Sequence, residues 1–352
     1  MTGCSAWQAL PYSLSFTIPL SVAIGQWLGG GFAYLAPGYV FGLLPVADWL
    51  VGAGSGAATR PSRAAPAPEF SALLRLHVLV QYALLASGCC LVASRAMTWM
   101  ELVGQVLSMG IASGAIAINV AHELIHRSRR LDQFLGRLLL LSSAYTHFAV
   151  EHVRGHHRFV GTDRDPVSAR LGESFWAFYP RAVTGSLRSA WALECERLRG
   201  LGLPASCWSN SMVQYGFATA GVACATLFAW GLPGLIFYLV SAFVGFSLLE
   251  VVNYVEHYGL RRSVDGTDRP ESVGWQHSWN VDYRVGRWVL FELTRHSDHH
   301  MHASKPYEHL EFSELGPELP AGYPAMILLA LVPWLWHRVM DPLASAVCPP
   351  AK

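Results

Sequence analysis

The sequence predicts an all-α integral membrane protein, a bundle of six transmembrane helices with a helical cap on its cytoplasmic side. Apolar residues make up 52% of the 352-residue chain and charged residues only 14%, a balance typical of membrane proteins. Several uncharged runs reach the roughly 20 residues that a helix needs to cross a bilayer. Histidines and most charged residues lie together outside these runs, so we expect the polar chemistry beside the membrane.

The six spans are predicted in three pairs, at residues 12–31, 33–52, 71–93, 97–121, 213–231 and 234–256. The first pair turns at glycines 29–31, the second around residues 94–96, and the third at the segment GLPG, where Pro233 suits the start of a helix. Two further apolar stretches, residues 134–150 and 323–340, are too short or interrupted for spans. We expect them to lie in the interface or pack on the bundle.

Basic residues set the predicted orientation. The loop after the second span carries Arg60 and Arg63, whereas the opposite turns keep only Arg95. The positive-inside rule therefore places this loop, both termini and the stretches 122–212 and 257–352 in the cytoplasm. We treat residues 1–352 as a single membrane-embedded domain, expected in a bacterial inner membrane. The net charge of +1 gives no indication of nucleic-acid binding.

The first histidine cluster, HELIH, follows the fourth predicted span. His122 and His126 are four residues apart, so on a helix both imidazoles can reach one metal ion. The same letters fit the HExxH motif of zinc peptidases, in which Glu123 would be the general base.

Three more segments add histidines. The stretch EHVRGHH holds His152, His156 and His157, and the HxxxHH spacing predicts that His152 and His156 share one helical face. The stretch RHSDHHMH and the end of the sixth predicted span supply the remainder. The nine candidate ligands are His122, His126, His152, His156, His157, His257, His296, His299 and His300.

Nine imidazoles exceed the three or four protein ligands of one zinc ion, so they favour a dimetal site in the cytoplasmic cap. Imidazole alone does not choose between iron, zinc, copper and nickel. A site joined to an apolar bundle is placed to act on hydrocarbon, which hydrolysis cannot attack, so a redox pair of iron ions is favoured.

Charged residues adjoin the clusters. Carboxylates often hold the outer nitrogen of a ligating histidine, and the candidates for this role are Glu123, Glu151, Asp165, Glu256 and Asp298. Four arginines would balance these acids or dock an acidic electron donor: Arg154, Arg158, Arg164 and Arg295. His147 and His302 lie near the clusters but outside their pattern.

Several segments, in order along residues 33–343, resemble the membrane-bound alkane monooxygenases, relatives of the integral-membrane fatty acyl desaturases. They are HELIHR, EHVRGHHRFVGTDRDPVSARLGESFW, NYVEHYGLRR, RHSDHHMH and YPAMILLALVPWLWHRVMDP. The HxxxHH spacing differs from the HxxHH typical of desaturases, and NYVEHYG is hydroxylase-like, so hydroxylation is favoured. Ile125 departs from the family pattern, which usually has glycine there, and a proline is expected near Ala303.

The resemblance implies a diiron centre held by the nine histidines and terminal hydroxylation of medium-chain alkanes to primary alcohols with O2. It also implies that electrons come from NAD(P)H through rubredoxin reductase and rubredoxin. The seven cysteines form no CxxC pair, so this sequence carries no fused rubredoxin module. The alternatives are a membrane desaturase or hydroxylase acting on fatty acyl or alkyl-aromatic substrates, a membrane zinc peptidase, and a metal transporter.

Overall fold

The computed structural model describes residues 3–59, 67–263 and 270–348, and the regular structure in these residues is helical. They contain no β-strand, and two isolated bridges join Ala53 to Tyr283 and Asn280 to Glu318. The all-helical class predicted from the sequence is confirmed. Arg60 and Arg63, on which the predicted orientation depends, lie outside the described residues.

The helical elements follow one another with short connections. Before residue 60 they are Gly3–Ala9, Leu10–Phe16, Thr17–Leu28, Gly30–Tyr34, Leu35–Gly38, Tyr39–Leu43 and Leu44–Val51. From residue 67 they are Pro68–Ser94, Trp99–Ile111, Ala112–Ile118, Asn119–Ile125, Arg130–Ser142, Phe148–Glu151, His152–His156, His157–Phe159, Phe175–Gly200 and Ser211–His257. After residue 270 they are Trp275–His277, Arg284–Val289, His296–Met301, Tyr307–His309, Tyr323–Ala330 and Pro333–Val347.

Seven of these elements are not α-helical. Four are 3-10 helices, namely Leu10–Phe16, Gly30–Tyr34, Trp275–His277 and Tyr307–His309. Three are π-helical: Tyr39–Leu43, Ala112–Ile118 and His152–His156. Each π-helical segment continues directly into α-helix on both sides, so it acts as a local bulge.

Four helices in the described part of the chain are long and apolar enough to cross a membrane: Gly30–Val51, Pro68–Ser94, Trp99–Ile125 and Ser211–His257. They coincide with the second to sixth predicted spans. The last has 47 residues and is broken at Gly231, whose φ of 65° is not helical. The first predicted span corresponds to Thr17–Leu28 and the 3-10 turns before it, and is not among the four.

The predicted turns are found where glycine or a short linker interrupts the helices. Thr17–Leu28 ends at Gly29, which has a φ of 66°. Residues 95–98 connect Pro68–Ser94 to the next helix, which begins after Thr98; the Thr98 side chain accepts a hydrogen bond from the Glu101 amide. With Gly231, all three predicted turn positions are confirmed.

Small and polar residues hold the bundle together. A β-carbon added at Gly114 would lie 2.6 Å from the Gly245 carbonyl oxygen, so this glycine lets two apolar helices pack closely. The Gln81 side-chain amide donates to the Ser113 and Ser142 hydroxyls at 2.9 and 3.1 Å. These bonds satisfy polar groups that neither lipid nor water reaches.

The two shorter apolar stretches are interrupted, as predicted. Arg130–Ser142 stops before residues 143–147 and packs on the bundle, where Tyr82 and Tyr238 donate to its carbonyl groups at 2.7 and 2.8 Å. The second stretch divides into Tyr323–Ala330 and Pro333–Val347. The first stretch therefore packs on the bundle, and the second packs on the longest helix through Tyr323–Ala330.

Candidate metal centre

The first histidine pair lies where the helix that includes Trp99–Ile111 ends. His122 is in its last turn and His126 caps it, with ring centroids 5.1 Å apart. Because i and i+4 side chains share a helix face, both rings point into the same space. His122 Nε2 lies 2.8 Å from His299 Nε2, so this space is also reached from the C-terminal part of the chain.

The second cluster adopts a π-helix, and this changes which histidines work together. In a π-helix the backbone hydrogen bonds join residues five apart. His152 and His157 accordingly lie above one another, with Nε2 atoms 3.0 Å apart, while His156 turns to a different set of rings. His152 and His156 still lie side by side, with ring centroids 5.2 Å apart as one shared face predicts, but their ligand atoms belong to different groups.

The third cluster also divides. On the short helix His296–Met301, His296 and His300 are four residues apart and their Nε2 atoms are separated by 2.9 Å. His257, the last residue of the longest helix, places its Nε2 atom 3.2 Å from that of His296. His299, one residue before His300, points instead to His122 and to His157, whose Nε2 atom is 3.1 Å away.

The result is two neighbouring groups of histidines, in each of which the potential ligand atoms lie within 4.8 Å of one another. We call them the five-histidine group and the four-histidine group. The first contains His122, His126, His152, His157 and His299, and the second contains His156, His257, His296 and His300. All nine histidines singled out in the sequence are brought together. His147 and His302 belong to neither group.

The donor set fits metal ions. A neutral imidazole offers one N–H and one lone pair, yet nitrogen faces nitrogen throughout both groups at 2.8–3.2 Å. The Nε2 atoms of His126 and His156 are buried with no hydrogen-bond partner. Converging lone pairs that lack donors are satisfied by a cation, and imidazole nitrogen is a common ligand of transition metals.

Burial also keeps the rings in the form that binds metal. Burial lowers the pKa of His126 to about 4, and the nearby His156 contributes. Burial, and then the neighbouring rings, hold the pKa values of five others well below the ordinary value: His152, His157, His296, His299 and His300. These imidazoles are therefore neutral at pH 7, as metal coordination requires.

Two of the five predicted acids contact a grouped histidine. Asp165 Oδ2 lies 2.9 Å from His156 Nδ1, the outer nitrogen of that ring, and accepts a hydrogen bond from Ser168 at 2.6 Å. Glu256 approaches from the other side: its Oε2 atom lies 3.2 Å from His296 Nε2, the nitrogen that faces the four-histidine group, while Tyr323 donates to its Oε1 atom at 2.7 Å. Asp165 thus orients a ring, whereas Glu256 reaches the interior of the group.

The other three acids have different neighbours in the described residues. Glu123 pairs with Arg127 at 3.1 Å, and Glu151 accepts a hydrogen bond from Ser189 at 3.4 Å. Asp298 contacts His302 Nδ1 at 2.8 Å and the Lys305 ammonium at 2.6 Å. Asp298 therefore anchors the loop that follows the third cluster.

The four arginines separate into exposed and buried positions. Arg158 and Arg164 are exposed, and their guanidinium carbons lie 5.0 and 4.0 Å from the centroid of the Phe159 ring. Arg154 pairs with the buried Glu194. Arg295 is fully buried and cannot contact a partner protein, so of the two roles predicted for it only charge balance remains.

Arg295 belongs to a buried ion-pair network that the sequence analysis missed. Asp282 contacts Arg295 at 2.8 Å and Arg287 at 3.1 Å, and Glu292 contacts Arg287 at 2.6 Å. The backbone of Glu292 has a φ of 58°, a left-handed conformation that residues other than glycine adopt only when their surroundings fix it. Arg295 directly precedes His296, so the network fixes the start of the third cluster. Its members follow no periodic spacing that would have revealed them.

An apolar cavity leads to both groups. It encloses about 990 Å³ of space between atoms, including its open mouth, and His122, His152 and His296 line it. Its other walls are mainly aliphatic and aromatic, with Phe41, Leu248 and Ile327 among them. All three π-helical segments in the described part of the chain contribute lining residues, consistent with the frequent occurrence of π-bulges at functional sites.

Known proteins are similar to this chain in sequence over nearly its whole length. Residues 97–330 match the fatty acid desaturase family. The chain is 40% identical to alkane 1-monooxygenase 2 of Pseudomonas aeruginosa, covering 94% of this chain and 89% of the relative. It is 38% identical to alkane 1-monooxygenase 1 of the same organism, with coverages of 95% and 90%, and 36% identical to alkane 1-monooxygenase 2 of Alcanivorax borkumensis, with coverages of 94% and 87%. The chain therefore belongs to the alkane 1-monooxygenase family, within the fatty acid desaturases.

Proposed function

We propose that this protein is a monooxygenase that hydroxylates the terminal methyl group of medium-chain alkanes to give primary alcohols. The balanced reaction consumes one alkane, one O2, two electrons and two protons, and gives one alcohol and one water. The observation that carries the proposal is the apolar cavity, which is lined by histidines of both groups. A hydrocarbon in that cavity would present one end to the metal centre.

The two groups would hold two iron ions as the resident cofactor. The five-histidine group supplies five nitrogen donors, and the four-histidine group supplies four, with Glu256 placed to add an oxygen donor. Bound iron would supply the redox chemistry that activates oxygen. Asp165 would keep His156 in the tautomer that presents Nε2 to the metal, because its carboxylate accepts a proton held on Nδ1.

The protein's other contribution is positioning. Aliphatic walls offer no hydrogen bond, so they select an apolar chain and keep water from the reacting end. The cavity, whose walls include Phe41 and Leu248, would admit the chain lengthwise from the bilayer, which also supplies the substrate. A chain bound end-on would present its terminal methyl group to His122, His152 and His296, which would account for terminal selectivity.

Electrons would come from rubredoxin, reduced by NAD(P)H through rubredoxin reductase. Arg158 and Arg164 are exposed, their guanidinium groups both lie near the Phe159 ring, and Arg158 directly follows His157 of the five-histidine group. Positive charge next to a redox site steers an acidic partner to it. Replacing both arginines by glutamine is expected to raise the KM for rubredoxin and weaken its salt dependence, while NADH oxidation by the reductase alone is unchanged.

The arrangement in the membrane is proposed from the same chain. Gly231 divides the 47-residue helix into two, and the 3-10 and α-helical turns before Gly29 supply a further crossing, giving six spans in a single domain. By the positive-inside rule, both termini and the metal centre would lie in the cytoplasm, below a bacterial inner membrane. Cysteine accessibility at Ser55 and Ser94, on predicted opposite sides, tests this orientation.

The deciding experiment uses the purified protein in detergent or lipid nanodiscs. Iron per chain is measured first, and then rubredoxin, reductase, NADH and octane are supplied and the products identified. About two iron ions per chain and 1-octanol support the proposal. An active preparation without iron, or a product other than the alcohol, contradicts it.

The rival functions give different outcomes in the same experiment. A desaturase would form a double bond, and an acyl or alkyl-aromatic hydroxylase would prefer those substrates to octane. A zinc peptidase would need only the first cluster and one further ligand, so His299→Ala should leave it active, whereas the proposed enzyme should lose iron. A metal transporter would move metal across a sealed vesicle without oxygen consumption.

A further inference from the structure

The cavity is lined by few polar side chains, and most of these already have partners. The Asp48 carboxylate accepts a hydrogen bond from the Gly286 amide at 2.7 Å. Asn119 donates to the Leu290 carbonyl group at 2.7 Å, and Asn253 donates to Glu250 at 3.3 Å. Each of these groups has a structural role in the wall.

Thr294 is different. It lines the cavity together with His296, two residues further along the chain, and is 2% exposed. Its Oγ1 atom is buried and has no hydrogen-bond partner in the described residues. A buried hydroxyl without a partner is unfavourable, so such a group in a cavity wall indicates a hydrogen-bonding partner that arrives with a ligand.

The backbone at Thr294 is fixed on both sides. Its carbonyl oxygen accepts a hydrogen bond from the Val281 amide at 3.0 Å. The backbone amide of the next residue, Arg295, donates to the backbone carbonyl oxygen of Glu292 at 2.9 Å. The hydroxyl can therefore move only by rotation about χ1 between staggered positions. Its position in the cavity wall is therefore set by the fold.

We propose that Thr294 recognises the hydroxyl group of a primary alkanol bound in this cavity, an inference that rests on the proposed function. An alkane cannot form hydrogen bonds, but terminal hydroxylation places an oxygen on its first carbon, beside the metal-binding histidines, of which His296 lines the cavity together with Thr294. Thr294 can donate to that oxygen or accept from it. The enzyme thus binds the alcohol product more tightly, and releases it more slowly, than it would if the cavity offered only apolar contacts.

The test measures ligand binding rather than turnover. The full-length protein in nanodiscs is equilibrated with radiolabelled 1-octanol or octane, and empty nanodiscs correct for partition into lipid. Thr294→Val removes the hydroxyl at constant shape, and Thr294→Ser restores it. Ser241→Ala is the matched control, because Ser241 also has a buried hydroxyl without a partner but does not line the cavity.

The readout is the dissociation constant for octanol divided by that for octane. This ratio should rise about fivefold in Thr294→Val, which corresponds to the loss of one hydrogen bond. It should be close to the wild-type value in Thr294→Ser and equal to the wild-type value in Ser241→Ala. An unchanged ratio in Thr294→Val overturns the proposal. So does a wild-type protein that binds 1-chlorooctane as tightly as 1-octanol, a comparison that needs no variant to fold. Octane turnover is assayed separately, so its absence would refute the proposed function and leave the binding result standing.

Discussion

Ile125 occupies the space that Gly136 leaves open on the neighbouring helix. A β-carbon at position 136 would lie 2.8 Å from Ile125 Cγ2 and 3.1 Å from the Ala121 carbonyl oxygen, closer than ordinary van der Waals contact. Ile125 lies between His122 and His126 in the sequence, and its side chain is buried. The bulk of Ile125 is thus accommodated by Arg130–Ser142, which carries the complementary glycine.

The first prediction concerns this pair. Alanine at an exposed helix position is about 1 kcal/mol more favourable than glycine, but Gly136→Ala adds a methyl group where none fits, at a typical cost of about 1–3 kcal/mol. We expect the variant to displace His122 and His126 and to bind less iron. Ile125→Ala in the same chain should restore iron content and octane hydroxylation. Failure of that second change to restore iron would mean that the two side chains do not compete for space.

The second prediction tests the division of adjacent histidines between the two groups. His157→Ala leaves four nitrogen donors in the five-histidine group, whereas His156→Ala leaves three in the four-histidine group. We expect His156→Ala to lose more iron per chain, and each variant to lose it from a different site in the Mössbauer spectrum. Each variant serves as the control for the other because they alter neighbouring residues, the last of the π-helix and the first of the helix that follows it. Loss of the same signal in both would contradict the grouping.

The sequence was sufficient for the histidines but not for their grouping. Clusters of ligand residues and glycine or proline turns are local signals, so all nine rings and the breaks at Gly29 and Gly231 could be predicted. The partnership of His152 with His157 depends on a π-helix, which α-helical spacing does not reveal. The Asp282–Arg295 pair and the cavity likewise arise from contacts between distant segments, for which no spacing rule exists.

The third prediction concerns the orientation of His156. Asp165→Asn keeps the size of the side chain but removes the negative charge beside His156 Nδ1. Partners of this kind typically change metal affinity by about 10- to 100-fold, so we expect weaker metal binding in the four-histidine group. Asp163→Asn is the control, because Asp163 is exposed and pairs with Arg261 at the surface. Equal metal affinities for the two variants would show that Asp165 does not orient the ring.

The fourth prediction tests the buried ion-pair network. Arg295→Met leaves Asp282 and Glu292 buried with only Arg287 as counter-charge. Breaking a buried pair in this way typically costs about 3–5 kcal/mol, and we expect a lower Tm together with loss of iron. The double variant Arg295→Met with Asp282→Asn balances the charges again and should recover part of the Tm. A double variant no more stable than Arg295→Met would show that charge balance is not the role of this arginine.

The last prediction is the acid sensitivity of the metal-free protein. Burial lowers the pKa of His126 to about 4 in the folded protein, whereas an unfolded histidine titrates near 6.5. Between these values the unfolded chain binds a proton that the folded chain does not, so the free energy of unfolding falls as pH falls, by about 1.4 kcal/mol per pH unit for each such histidine. Above pH 7 both states are neutral, and we expect no dependence from these rings. The Tm of the metal-free protein in detergent, measured from about pH 8 to pH 4, should stay constant at high pH and then fall steeply as the pH drops. His126→Ala should make the fall of Tm below about pH 6.5 less steep. A slope that this substitution leaves unchanged would mean that His126 takes up its proton as readily in the folded chain as in the unfolded one.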